Sequence, residues 1–186
     1  MLLGSVRRDR MGSRAARMIV RELERRGHDV HLVDPLELQL PLLDRMYKEH
    51  VAGTAPEPLK RLASLYRSVD GFLVVSAEYN HGIPPALKNL LDHFLEEYFW
   101  RPSGIVCYSA GNFGGVRAAM QLRMTLAELG MPSVPSILPI PRIAEAITDD
   151  GATTQPTTDR SMNRFLDEFL WYADALADAR LDGTPY

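Results

Sequence analysis

The stretch GFLVVSAEYNHGIPPALKNLL, Gly71 to Leu91, sets out one repeating unit of the fold. From Gly71 to Ala77 it is apolar without alternation. That is how a strand buried on both faces reads, because a sheet with one wet face puts polar residues at every second position. A polar segment follows, and Pro84 and Pro85 then open a run in which Leu87, Leu90, Leu91, Phe94, Leu95 and Tyr98 recur at three- and four-residue spacing. The spacing predicts a helix over 84–99, with its prolines in the first turn, where a missing N–H does no harm.

The unit recurs on both sides. Met1 to Leu3 is a short first strand, followed by a helix striped by Ala15, Ile19 and Leu23 and ended by Gly27. HDVHLVD, His28 to Asp34, alternates weakly and reads as a strand at a sheet edge. Leu59, Leu62, Ala63 and Tyr66 stripe another helix. SGIVCYSAG, from Ser103, is a second buried strand, and FGGVRAAMQLRMTLAELG a helix closed by Gly130. SVPSILPI, interrupted by Pro135, is the last strand, and Phe165, Phe169, Ala173 and Leu176 mark the final helix. Short strands alternating with helices call for a parallel sheet covered on both faces, a doubly wound α/β domain.

Composition sets limits on function. With 186 residues, 46% of them hydrophobic, the chain suits one domain, 1–186, and is too short for two of ordinary size. A net charge of −3 provides no overall field for nucleic acid or an anionic membrane. No apolar run approaches the length that spans a bilayer, and Met1 to Leu3 is too little for a signal-peptide core. The single cysteine, Cys107, excludes an intrachain disulfide and, inside GIVCYS, reads as a buried thiol suited to a reducing cytoplasm.

In doubly wound sheets ligands bind beyond the carboxyl ends of the strands. Three loops leave those ends. The first, GSVRRDRMGS from Gly4, joins a strand to a helix start, where unpaired N–H groups and the helix dipole favour an anion. Ser5 and Ser13 bring hydroxyls, Arg7 and Arg10 can fork onto phosphate oxygens, and Gly12 permits close approach. Neither a G-x-G-x-x-G nor a G-x-x-x-x-G-K-[ST] pattern is present, so the loop is neither a Rossmann nor a Walker cradle. The other two loops are SAEYNHGIPP, from Ser76, and SAGNFGG, from Ser109.

Taken together at these positions, the three loops resemble those of the NADPH-dependent FMN reductase family, flavodoxin-like enzymes that include quinone, azo and chromate reductases. The first corresponds to the family's G-S-x-R loop, the second to P-E-Y-N with Ala77 in place of proline, and the third to S-x-G-x-x-G-G. The resemblance runs from Gly4 to about Leu138. It implies a three-layer α/β/α fold on a five-stranded parallel sheet of order 2-1-3-4-5. It also implies that Ser5, Arg7, Arg10, Met11, Gly12 and Ser13 hold the phosphate of bound FMN. Ala77, Glu78, Tyr79 and Asn80 would line the flavin ring, with Ser109, Gly111, Asn112, Phe113 and Gly114 at another edge. The activity implied is ping-pong transfer of hydride from NAD(P)H to FMN and on to a small-molecule acceptor such as a quinone, free flavin or azo compound. A homodimer or homotetramer is implied as well, and the helix from Pro85 to Trp100 is expected to carry part of the contact, because Leu90, Phe99 and Trp100 lie off its buried stripe of Leu87, Leu91, Phe94 and Tyr98. An FMN electron carrier without turnover of its own is the rival reading, which the weak acidic balance does not favour.

Several other side chains have plain structural readings. His93, four residues after Asn89, is expected to serve the fold, Glu78 to fix its turn rather than act as a base, and His81 to be dispensable for proton transfer. No His, Cys and carboxylate cluster has metal-ligand spacing. Ser76 and Ser109 lack a nucleophile elbow. A first strand of three residues is short for a sheet centre, which leaves open a start upstream of Met1.

Overall fold

The computed structural model describes residues 1–186. Four parallel strands, β1 (Leu2–Leu3), β2 (Phe72–Ala77), β3 (Ser103–Tyr108) and β4 (Ser133–Ile140), lie side by side in that order. The expected fifth strand is reduced to a bridge: Val33 meets Leu2 in parallel, its N–H donating to the Met1 carbonyl at 2.8 Å while the Leu3 N–H donates to the Val33 carbonyl at 3.0 Å. The sheet therefore has four strands rather than five, although the bridge occupies the outer flank of β1 where strand two of a 2-1-3-4-5 order belongs. The polar run His28 to His31 and the half-exposed Leu32 bury too little on this edge to extend the ladder beyond β1's two residues.

Every residue of β2 and β3 is buried, as their unbroken apolar runs require. Neighbouring side chains point to opposite faces and feed two separate cores. Leu3, Val75, Val106 and Tyr108 pack beneath α1 (Gly12–Arg25), a short α6 (Ile143–Ala146) and α7 (Pro156–Leu181). Leu2, Val74, Ile105 and Cys107 pack on the other face beneath α3 (Glu57–Ser68), α4 (Pro85–Asp92) and α5 (Val116–Glu128). A one-turn α2 (Pro35–Leu38) follows the Val33 bridge. Pro135 does not interrupt β4. It is exposed on the outer edge of an edge strand, where no ladder N–H is missed, and a register shift against β3 lies beside it.

The helix predicted over 84–99 stops at Asp92, and a separate 3₁₀ turn spans Glu96–Tyr98. The apolar spacing continues across the break because Phe94 and Tyr98 still point into the core, where they meet Tyr66 and Phe72 edge to face. The contact face expected at the helix end is covered. Leu90 is buried, Phe99 lies against Gly130, and both Phe99 and Trp100 pack on the Tyr186 ring at centroid distances of 5.6 and 4.8 Å. No helix is long and apolar enough to cross a membrane.

Candidate functional site

The chain reverses sharply twice at the carboxyl ends of the strands, and both reversals are written in residue types that tolerate left-handed backbone. After β2, Tyr79 and Gly82 exchange both backbone hydrogen bonds, at 3.1 and 2.9 Å, around Asn80 (φ 51) and His81 (φ 66). This is a two-residue hairpin with both central residues left-handed, where asparagine is favoured. After β3, Gly114 and Gly115 take φ of 61 and 80 and lead into α5.

Side chains tie these loops together. The Ser5 and Tyr79 hydroxyls are 2.5 Å apart, joining the first loop to the second across 74 positions of sequence. Glu78, with its side chain 9% exposed, accepts from the N–H groups of Arg117 (3.0 Å) and Ala118 (3.3 Å) and faces the Arg117 guanidinium at 3.4 Å. The carboxylate of the second loop thus caps α5, which the third loop starts, and matches the positive end of its dipole. Its engagement fits the positioning role expected of it. Glu78→Gln keeps an acceptor for both N–H groups and is expected to melt close to the parent. Glu78→Ala is expected to lose about 1.5–3 kcal/mol in denaturant unfolding, since two N–H groups lose a charged acceptor. Equal stability of the two variants would remove the capping role.

The third loop is braced from within and from Arg142, the N-cap of α6. Ser109 Oγ donates to the Gly111 carbonyl and accepts from Gly114 N–H, both at 2.9 Å. Arg142 N–H donates to Gly111 O at 2.9 Å, and its Nε donates to Asn112 Oδ1 at 2.6 Å. Phe113 is left 61% exposed, with the Arg117 guanidinium 4.2 Å from its ring centre. Gly111 and Asn112, just before it in sequence, are exposed, as is Asn80 of the second loop, and a Cβ at Gly111 would meet nothing within 4 Å.

The first loop differs from the expectation in one contact. Arg10 forms a bidentate ion pair with Asp34, its Nη1 2.6 Å from Oδ1, and the same Nη1 donates to the Ser5 carbonyl at 3.0 Å. The two side chains are 15% and 5% exposed, and Asp34 also accepts from Leu36 N–H to start α2. The guanidinium expected to fork onto a phosphate is thus already forked onto a carboxylate. Arg7 is exposed, and its N–H lies 3.4 Å from Ser5 Oγ. Ser13 turns back to the Arg10 carbonyl at 3.3 Å. Met11 is the N-cap of α1 and provides no side-chain cap, so the helix's first turn stays open to an outside acceptor.

Asp34, Tyr108, Arg117, Gln121 and Arg142 belong to this constellation and carry no legible signal in their own segments. Gln121 holds the hairpin by donating to His81 O at 3.1 Å. His93 is buried with Nδ1 2.7 Å from Asn89 O, a structural contact. Burial pushes the Cys107 thiol up to about 12, so it is no nucleophile.

Comparison with known proteins places the chain in a family. The model of the NADPH-dependent FMN reductase family matches residues 1–145. The chain belongs to that family. A quinone reductase of Pseudomonas putida is 29% identical over 174 residues, 90% of each chain. An NAD(P)H-dependent FMN reductase of Schizosaccharomyces pombe is 37% identical over 97 residues, 50% of this chain and 48% of that one, so this match spans about half the relative's length. Among solved structures, FerB of Paracoccus denitrificans superposes with a TM-score of 0.77 at 22% identity, over 94% of this chain and 95% of that one, which shows the flavodoxin-like α/β fold. This family member is an NAD(P)H-dependent oxidoreductase with FMN as its cofactor.

The residues at the first loop suit such a cofactor. An uncapped helix start, the buried Ser5 hydroxyl and the neighbouring Tyr79 hydroxyl form a donor set for a phosphate monoester, and the nearby Asp34 carboxylate is neutralised by Arg10.

Proposed function

We propose that the chain passes electrons from NAD(P)H to a small acceptor, a quinone or another flat conjugated compound, in two separate half-reactions at one open face. The observation that carries this is the wiring of the three loops by Ser5–Tyr79 and by Glu78 to α5, which brings an anion site, a left-handed hairpin and an exposed Phe113 to one end of the sheet. FMN, when bound, supplies the hydride-accepting and electron-donating chemistry. Ser5, Arg7, the Met11–Ser13 backbone and the open turn of α1 would hold its phosphate, with Arg10 acting through the Ser5 carbonyl. Ala77 to Asn80 would line the ring, and Ser109 to Gly114 would border its other side. The backbone N–H groups there favour negative charge at the ring's polar edge.

The exposed Phe113, Asn80 and Gly111 leave the face wide, so the acceptor is selected by shape rather than by a dedicated charge. A homodimer is part of this reading. Val6 of the phosphate loop and Leu42 are 40% and 84% exposed and line a shallow apolar groove with Leu40, Pro85 and Leu90, and a second copy would cover this rim beside the site.

The test is steady-state kinetics with NAD(P)H and a quinone. Because one face must release its first product before admitting the second substrate, double-reciprocal lines are expected to run parallel as the acceptor is varied. Intersecting lines would refute the shared face. Reduction no faster than that of free FMN in buffer would favour an electron carrier.

A further inference from the structure

Arg142 is held in a backbone conformation that its residue type disfavours. It follows β4 at φ 43, in the left-handed region, which glycine or asparagine enters at less cost. Three main-chain hydrogen bonds stitch the segment to the third loop: Ser109 N–H to Ile140 O at 3.2 Å, Arg142 N–H to Gly111 O at 2.9 Å and Ile143 N–H to Ser109 O at 3.1 Å. One further bond, from Nε to Asn112 Oδ1 at 2.6 Å, aims the side chain. An amide oxygen carries no charge, so this anchor fixes the guanidinium without neutralising it and leaves its two Nη groups without a hydrogen bond inside the chain. Neighbouring arginines differ, since Arg10, Arg14 and Arg117 are engaged by Asp34, Asp149 and Glu78. The carboxylate near Arg142 is that of Glu145, 3.8 Å from Nη1 and 70% exposed. Strain retained under a cation that is braced but left 58% exposed points to a task outside the fold.

We infer that Arg142 receives the pyrophosphate of incoming NAD(P)H at the rim of the third loop, so that the chain takes its hydride from the dinucleotide in preference to an uncharged dihydronicotinamide. The inference rests on the proposed function, in which this loop borders the ring over which the donor must lie. A guanidinium with both Nη groups available forks onto adjacent phosphate oxygens, a match that a lysine's point charge lacks. In the dinucleotide only a ribose separates the nicotinamide from the pyrophosphate. A cation beside the ring's own loop therefore meets that group, and not the phosphate that distinguishes NADPH from NADH, which hangs from the far ribose. Phe113, next to the anchor Asn112, is 61% exposed and offers a flat surface to a nucleotide ring.

Arg142→Asn keeps the N–H that bonds Gly111, eases the left-handed backbone and removes the guanidinium. FMN-loaded parent and variant are titrated with ADP, which carries the pyrophosphate without a nicotinamide. Their turnover of NADPH, NADH and an N-benzyl dihydronicotinamide is then compared, with an uncharged quinone as acceptor. ADP affinity and kcat/KM for both nucleotides are expected to fall about tenfold, as for loss of a charge-assisted contact at a half-exposed site. The values of kcat/KM for the benzyl donor and for the quinone should stay at the parent's, and the variant should melt at the parent's temperature or above. Glu145→Gln, which removes the carboxylate beside Nη1, should bind ADP about two- to threefold more tightly. Unchanged ADP affinity in Arg142→Asn overturns the inference. An equal loss with the benzyl donor or the quinone does so too, by assigning the residue to the ring or the acceptor, as does a melting temperature lowered by several degrees, which assigns it to the fold. A parent that oxidises NAD(P)H no faster than free FMN does would instead bring down the proposed function, and this inference with it.

Discussion

Asp34→Ala is expected to cost about 3–5 kcal/mol of stability, the usual price of leaving one member of a buried ion pair without its partner. The variant would strand the Arg10 guanidinium, 15% exposed, with only the Ser5 carbonyl to accept from it. For a chain of this size the loss corresponds to roughly 10 °C or more in melting temperature. It should also weaken FMN binding, because Arg10 holds Ser5 in place and Ser5 belongs to the phosphate cradle. Arg10→Ala should weaken FMN binding to a similar degree, by loosening the same carbonyl. The two readings of Arg10 separate here. If Arg10 contacts phosphate directly, Asp34→Ala frees a cation beside the anion site and FMN binds more tightly. Tighter binding in that variant would remove the bracing role. A melting temperature within a degree or two of the parent would show that the pair contributes nothing.

Arg10 also marks the limit of what the sequence could say. An arginine in a strand-to-helix loop reads as a phosphate ligand from its position alone, and its partner Asp34 lies 24 residues away at the end of a poorly formed edge strand. Contacts of that range have no local signature. The unbroken apolar runs at Phe72–Ala77 and Ser103–Tyr108 were legible because burial on both faces leaves no room for polar residues. The edge at His28–Asp34 was overread, since its alternation satisfied a strand pattern but β1 offers only Leu2 and Leu3 to pair with. The helix over 84–99 was overread for the opposite reason: Phe94 and Tyr98 keep helical spacing while the backbone leaves the helix at Asp92, because burial dictates the residue types on either side of the break. Glu78 was read as a positioning group, and the groups it engages, the N–H groups of Arg117 and Ala118, appear only in three dimensions. Tyr108 looked like one more residue of a buried strand. Its neighbour Gly12 showed half of the arrangement, a need for close approach, without showing that the approaching group is a phenol rather than a ligand.

Gly115→Ala should be as damaging as the loss of Asp34, by a different mechanism. The residue sits at φ 80 as N-cap of α5, and an added Cβ would stand 2.8 Å from the Tyr108 carbonyl oxygen and 2.9 Å from its nitrogen. Left-handed backbone costs a non-glycine residue about 1–2 kcal/mol. The contacts are with main chain at the end of an inner strand, which cannot rotate away, so the total should reach roughly 3 kcal/mol or more. Relief would require the start of α5 to move, and that start carries the N–H groups that Glu78 caps and adjoins the Gly114 N–H that Ser109 holds. The second and third loops should therefore loosen together, with weaker FMN binding alongside a lower melting temperature. Gly111→Ala, four residues earlier in the same loop, is the control. Its Cβ would meet nothing within 4 Å and its φ is not positive, so it should melt like the parent. Thermal denaturation and FMN titration of the two variants decide the matter. If Gly115→Ala and Gly111→Ala behave alike, the glycine after Gly114 is not fixing the loop, and the packing of Tyr108 beneath it does not set the position of α5.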